Sequence, residues 1–192
     1  MLVAVSGSQG SGKTTVLNEL VKLGYHVIER KTSRSIQKDW GYTLEEINSN
    51  KNLTMKFQQE ILKRKWDDEY VYVNKEPLAF TERTYADLFT YALLVLGKEP
   101  SCSDFLDDYF EQCKIAQAGY TKVFMLTAGL FPVEWDVNRA SANSHYCKLV
   151  DRTLMELTEE MAPTSFDPTI EIIKTGDLEK RVQQIVDALP SQ

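Results

Sequence analysis

Eight consecutive residues near the start of the chain carry the chemistry: Gly7-Ser8-Gln9-Gly10-Ser11-Gly12-Lys13-Thr14. They match G-x-x-x-x-G-K-[ST], a loop whose glycines let backbone N–H groups turn inward around a phosphate. In that pattern Lys13 reaches the β- and γ-phosphates and the Thr14 hydroxyl ligates Mg²⁺, with Thr15 beside them. The pattern has this meaning only between a strand and a helix, and both are predicted. Leu2–Ser6 is a short apolar run of β type. Residues 14–23 then space Val16, Leu17, Leu20, Val21 and Leu23 as one face of a helix that Gly24 ends. A helix N-terminus at this point favours an anion. The expected cofactors are ATP and Mg²⁺.

The elements that must position this loop alternate in type. Strands are predicted at 25–29, 77–81, 122–127 and 169–173, and helices at 85–96, 104–117, 148–161 and 178–189. Residues 31–42 are polar and read as a loop or short helix. Thr43 and Glu46 form a capping box that opens a long helix to about residue 70, with Ile47, Met55, Phe57, Ile61, Leu62 and Trp66 as its apolar positions. Residues 128–144 are irregular. The alternation predicts an α/β fold, a mostly parallel sheet with helices on both faces. With 192 residues and 43% hydrophobic content, one domain spanning 1–192 is expected. No apolar run has the length of a membrane span, and the N-terminal apolar run is too short for a signal peptide. The three cysteines, Cys102, Cys113 and Cys147, lack metal-ligand spacing and read as reduced thiols of a cytoplasmic setting. The net charge of −6 argues against holding nucleic acid by bulk electrostatics. Local basic clusters at 31–38 and 63–65 are the places where DNA contact would occur.

Beyond the loop, four segments carry a family resemblance. They are Val27-Ile28-Glu29-Arg30, Phe80-Thr81-Glu82-Arg83-Thr84, Trp135-Asp136-Val137-Asn138-Arg139 and Thr175-Gly176-Asp177-Leu178-Glu179-Lys180-Arg181. In this order the chain resembles the nucleoside and nucleotide kinase branch of the P-loop superfamily. More narrowly it is similar to the compact AAA-type kinase-like family that includes nicotinamide-riboside kinase domains and phage nucleoside or nucleotide kinases. The resemblance implies a P-loop NTPase three-layer sandwich with a kinase-type lid at 128–144 and a helical acceptor-site insertion at 43–72. It implies that Phe80–Thr84 corresponds to the Glu-Arg-Ser segment of deoxynucleoside kinases, and that 135–139 corresponds to the Asp-x-x-Arg stretch of the lid. Gly176 then lies in the turn beside the nucleotide base.

The residues support these placements chemically. Ligands of an open parallel sheet sit outside the carboxyl ends of its strands, where Glu29 and Glu82 both fall. A kinase needs one carboxylate to orient or deprotonate the acceptor hydroxyl and another for Mg²⁺. We assign Glu29 the first role and Glu82 the second, and the two are interchangeable on sequence alone. Arg83 would bind an acceptor phosphate or steady Glu82. Asp87 is a candidate substrate residue, and an i,i+4 pair with Arg83 competes with that reading. Arg139 would serve the transferring phosphoryl group, assisted by Arg152. Arg34, in a basic hydroxyl-rich stretch, would hold an acceptor phosphate, against the alternative of a solvated loop. Trp40, Tyr42, Phe57, Trp66 and Tyr85 are candidates to stack on a base, with core packing as the competing account.

The leading functional expectation is γ-phosphoryl transfer from ATP to a nucleoside or nucleotide acceptor, with DNA disfavoured by charge. One alternative is a phage-type kinase acting on 5-hydroxymethyluracil in DNA. Another is a nucleotide-binding NTPase or switch. A GTPase of the common type reads guanine with Asn-Lys-x-Asp, and Asn74-Lys75-Glu76-Pro77 breaks that pattern at its fourth position. The acceptor and the oligomeric state are open at the level of sequence.

Overall fold

The structure, a computed structural model, describes residues 1–28, 33–73, 75–130, 143–162 and 169–189. Its central strand β1 (Leu2–Ser6) runs into the glycine loop and helix α1 (Lys13–Lys22). β2 (His26–Val27) follows, then α2 (Ser33–Trp40), α3 (Leu44–Asn48) and α4 (Lys51–Val73). β3 (Ala79–Glu82), α5 (Tyr85–Leu96), a 3₁₀ turn at Pro100–Cys102 and α6 (Ser103–Gln117) lead to β4 (Lys122–Leu126). α7 (Ser144–Glu160), β5 (Thr169–Ile173) and α8 (Leu178–Asp187) complete the order.

All five strands are parallel, in the order β2-β3-β1-β4-β5. The expected parallel α/β sheet is therefore present, and alternation along each strand sorts side chains into two cores. Leu2, Ala4, Val123 and Met125 join the larger core with residues of α4, α5, α6 and α7. Val3, Val5, Phe80, Phe124 and Leu126 face Val16, Leu17 and Leu20 of α1 and Val182 and Ile185 of α8. Strands buried on both faces are what a central parallel sheet demands. The chain leaves β1 toward β2 through α1 on one face and leaves β3 toward β4 through α5 and α6 on the other, so the crevice at the carboxyl ends of β1 and β3 is a switch point, the place where open α/β sheets bind ligands. The phosphate loop occupies that end of β1.

Of the two readings of 31–42, the short helix is the one present, as α2, whose Ile36 is fully buried. Several local expectations change. The long helix predicted from residue 43 breaks after Asn48, because the Asn50 side chain accepts from the Asn52 and Leu53 N–H groups and starts α4 anew. α7 begins at Ser144, a turn earlier than predicted, because the Asn143 side chain accepts from the N–H groups of His145 and Tyr146. Trp66, predicted as core, is 47% exposed. The basic cluster at 63–65 is not a basic surface. Lys63 pairs with Asp67, Arg64 pairs with Asp39 and Glu60, and Lys65 is buried against Glu69. Among the described residues no helix is long and apolar enough to cross a membrane.

Candidate active site

The phosphate loop is shaped by three glycines at positive φ: Gly7 at 132°, Gly10 at 76° and Gly12 at 89°. At Gly7 a Cβ would lie 2.4 Å from the Leu126 carbonyl oxygen, so β4 leaves no space for a side chain there. Ser8, Gln9, Ser11 and Lys13 are all buried. α3, α5, α7 and α8 each start on a side-chain cap, from Thr43, Thr84, Asn143 and Asp177. α1 starts on Gly12 without one, and its first turn has no acidic residue. Its N-terminal donors are therefore left for an anion.

The Lys13 ammonium donates to the carbonyl oxygens of Gly7 at 2.7 Å and Ser8 at 2.8 Å. Burial pushes it down to about 8; Arg83 pushes the same way, against the opposing charges of Glu82, Asp87 and Asp151. Across from it, the Thr14 hydroxyl lies 3.2 Å from Glu82 Oε2. A hydroxyl and a carboxylate are hard oxygen donors, the set that Mg²⁺ takes alongside nucleotide phosphates. The residues present thus fit ATP and Mg²⁺. Among the described residues no group of three or more His, Cys, Asp or Glu could hold a metal ion. The buried Gln9 Nε2, without a hydrogen-bond partner, adds a donor inside the loop.

Glu82 ends β3, and the chain then turns through Arg83, whose φ is 69°. Among the described residues Arg83 alone, apart from glycines, has a positive φ. Its N–H donates to the Val5 carbonyl of β1 at 2.9 Å. Thr84 and Asp87 form the capping box of α5. Asp87, fully buried, also accepts from the Ser6 hydroxyl at 2.5 Å and from Arg83 Nη1 at 3.2 Å. The Arg83 guanidinium lies 5.0 Å from the Tyr91 ring centre. Burial works against its charge, and Tyr91, Asp87 and Glu82 outweigh burial to hold it above the ordinary arginine range.

Among the residues singled out from sequence, the structure brings residues 7–14, Glu82 and Arg83 together at the end of β1. Asp87 lies beneath them with its oxygens engaged by Ser6, Arg83 and Thr84, so the i,i+4 pair weighed at that position is present and both carboxylate oxygens serve the chain itself. Arg34 is exposed on α2, and Thr15 and Arg152 are exposed. Phe57 and Tyr85 are core residues; Trp40 is half-buried edge-on to Phe57, and Tyr42 is exposed. Glu29, Arg139 and residues 131–142 of the lid segment lie outside the described residues.

Three supporting groups had escaped sequence reading. Asp151 of α7 accepts from the Ser8 N–H and the Ala128 N–H, both at 2.8 Å, and so ties the phosphate loop to the end of β4. Arg181, 1% exposed, donates to the Ser11 and Thr175 carbonyls, both at 2.5 Å, joining the loop to the turn that holds Gly176. Lys65 and Glu69 lie buried under the Glu82–Arg83 turn. Lys65 and Glu69 carried a signal, an i,i+4 spacing of opposite charges on a helix, and Arg181 closes the quoted segment 175–181 without a role assigned to it there.

The family model described as an AAA domain matches residues 2–181. The chain belongs to this AAA-domain family. Among solved structures the fold recurs in deoxyadenosine kinase from M. mycoides, with dATP bound, at a TM-score of 0.71 and 15% identity over 97% of this chain and 98% of that one. The same enzyme with the products dCMP and dCDP aligns at 0.71 and 14% identity, covering 97% of each chain. The NadR protein in complex with NR aligns at 0.66 and 14% identity, over 97% of this chain and 49% of that one. At these identities the likeness establishes the fold. No curated protein sequence matches the chain.

Proposed function

We propose that the protein is a P-loop kinase that transfers the γ-phosphoryl group of ATP to a nucleoside or a nucleoside-like acceptor. The observation that carries the reading is the Thr14–Glu82 contact of 3.2 Å at the uncapped start of α1, with Lys13 and Arg83 beside it. A hydroxyl facing a strand-end carboxylate is the Mg²⁺ site that P-loop kinases share with hydrolases and switches; the arginine directly after that carboxylate, and the fold shared with nucleoside kinases, favour transfer. The relatives in fold support the acceptor class, since their bound molecules are dATP, dCMP, dCDP and NR.

ATP with Mg²⁺ supplies the transferable group and a cation that offsets its charge. Backbone N–H groups of residues 7–14 hold the phosphates, and Lys13 turns from its own loop carbonyls to the phosphate oxygens. Thr14 and Glu82 hold Mg²⁺. Arg83 balances charge on the equatorial oxygens, and Arg139 adds to this from the segment at 128–144. Glu29 orients or takes the proton of the acceptor hydroxyl. Gly176 flanks the donor base. Residues 43–72, together with Arg34 on α2, form the acceptor side of a single catalytic unit. Cys102, Cys113 and Cys147 are buried as thiols, which supports a reducing compartment.

A DNA acceptor is less favoured than before, because ion pairing and burial neutralise the cluster at 63–65. The test is ADP release at saturating ATP–Mg²⁺ with and without each of a set of deoxynucleosides, ribonucleosides, nucleoside monophosphates, nicotinamide riboside and hydroxymethyluracil DNA. The proposal predicts stimulation at least about tenfold above background hydrolysis by a free nucleoside or nucleotide. Stimulation by DNA alone, with salt-sensitive DNA binding, selects the modified-base reading. Release that no acceptor alters selects the switch.

A further inference from the structure

Lys65 and Glu69 form a buried ion pair on α4, 2.5 Å apart, with side chains only 1% and 6% exposed. Isolated from its surroundings, such a pair is a weak source of stability, because desolvating two charges offsets most of their attraction. Where the remaining hydrogens of the ammonium point is more telling. With one hydrogen on Glu69, the other two are shared among three acceptors: the Arg83 carbonyl at 3.0 Å, Thr81 Oγ1 at 3.2 Å and the Glu82 carbonyl at 3.4 Å. Glu69 fixes the ammonium from behind, and is itself held by Thr81 Oγ1 at 2.8 Å, Tyr85 OH at 2.7 Å and Tyr120 OH at 3.1 Å. The rings of Tyr85 and Tyr120 cover the ammonium at 5.2 and 5.7 Å.

Two consecutive carbonyls therefore converge on one buried cation at the place where the backbone takes an unfavourable conformation. The left-handed φ of Arg83 has a steric cost in a residue with a Cβ. The Val5 carbonyl holds the turn from one side through the Arg83 N–H, and Lys65 holds it from the other through the carbonyls. With the peptide so fixed, Glu82 projects toward Thr14 and Arg83 toward Asp87 and Tyr91. We propose that Lys65, held by Glu69, is a positioning residue that locks the Glu82–Arg83 turn in the geometry used for metal binding and transfer. The inference rests on the kinase reading of Glu82 given above.

The test compares Lys65→Met/Glu69→Gln, which removes the ammonium without leaving an unpaired carboxylate, with the parent and with Glu82→Gln. ATP binding without Mg²⁺ is expected to stay within about threefold of the parent, since the phosphate loop is intact. The gain in ATP affinity on adding Mg²⁺, read by calorimetry, is expected to shrink about tenfold, and kcat to fall by a similar factor. Lys65→Gln/Glu69→Gln, whose amide still donates to one carbonyl, is expected to recover part of both. A lower melting temperature with the Mg²⁺ gain and kcat both retained overturns the proposal. Loss of cooperative folding in both double variants also overturns it, assigning the pair to core stability. If Glu82→Gln itself leaves the Mg²⁺ gain unchanged, the metal role of Glu82 falls, and this inference with it. If Glu82→Gln abolishes the gain and the Lys65 variants keep it, only the positioning role falls.

Discussion

Raising the pH from 7 to 9 is expected to weaken ATP binding about tenfold through one residue. Lys13 is buried, and its ammonium is pushed down to about 8 before nucleotide arrives. A bound polyphosphate returns it to the ordinary lysine value of 10.5 or above, since opposite charge favours the protonated form. At pH 7 about nine in ten molecules already carry the proton, and binding takes up about 0.1 proton. At pH 9 about one in ten carries it, so binding must take up about 0.9 proton and Kd rises by about a factor of ten. Calorimetry in two buffers of different ionisation enthalpy measures both quantities at once, and Lys13→Met is expected to bind weakly with a flat profile. The sign for stability follows from the same values. Between about 8 and 10.5 the unfolded chain holds the Lys13 proton more firmly than the folded one, so this residue makes nucleotide-free protein more stable as pH rises through that window. A parent Kd that is level from pH 7 to 9, without proton uptake, refutes the argument. So does a pH slope that survives in Lys13→Met.

Two substitutions probe the supports of the loop. Gly7→Ala places a methyl group 2.4 Å from the Leu126 carbonyl oxygen on a backbone at φ 132°. The expected loss is about 3 kcal/mol or more, seen as a large fall in melting temperature that ATP does not restore. Asp151→Asn keeps one carbonyl oxygen for the Ser8 and Ala128 N–H groups and turns an amide toward the other, at an expected loss of about 1–3 kcal/mol by chemical denaturation. It also removes a charge that raises the Lys13 pKa, so the pH at which ATP binding weakens should move down.

The parts of the site that were legible in sequence are those where spacing along the chain equals spacing in space. Residues 7–14 form one loop of contiguous backbone, and Glu82 ends an apolar strand at the carboxyl edge of the sheet. The supports were not legible because their partners are far apart in sequence. Asp151 is 143 residues from Ser8, and Arg181 is 170 residues from Ser11. Lys65 shows why charge patterning misleads: Lys63-Arg64-Lys65 reads as a basic patch, but a helix turns successive residues by 100°, so Lys63 is exposed and Arg64 half-buried, each with acidic partners, and Lys65 points inward. The parallel sheet was readable from alternation of element types, and its boundaries failed where a single asparagine, Asn50 or Asn143, starts a helix.

Following the label from [γ-³²P]ATP separates transfer from hydrolysis. Incubated with Mg²⁺ and a panel of nucleosides and nucleoside monophosphates, the protein is predicted to yield a labelled acceptor phosphate, absent with Lys13→Ala and greatly reduced with Glu82→Gln. Label that appears only as inorganic phosphate, or transfer that Lys13→Ala retains in full, would contradict the account.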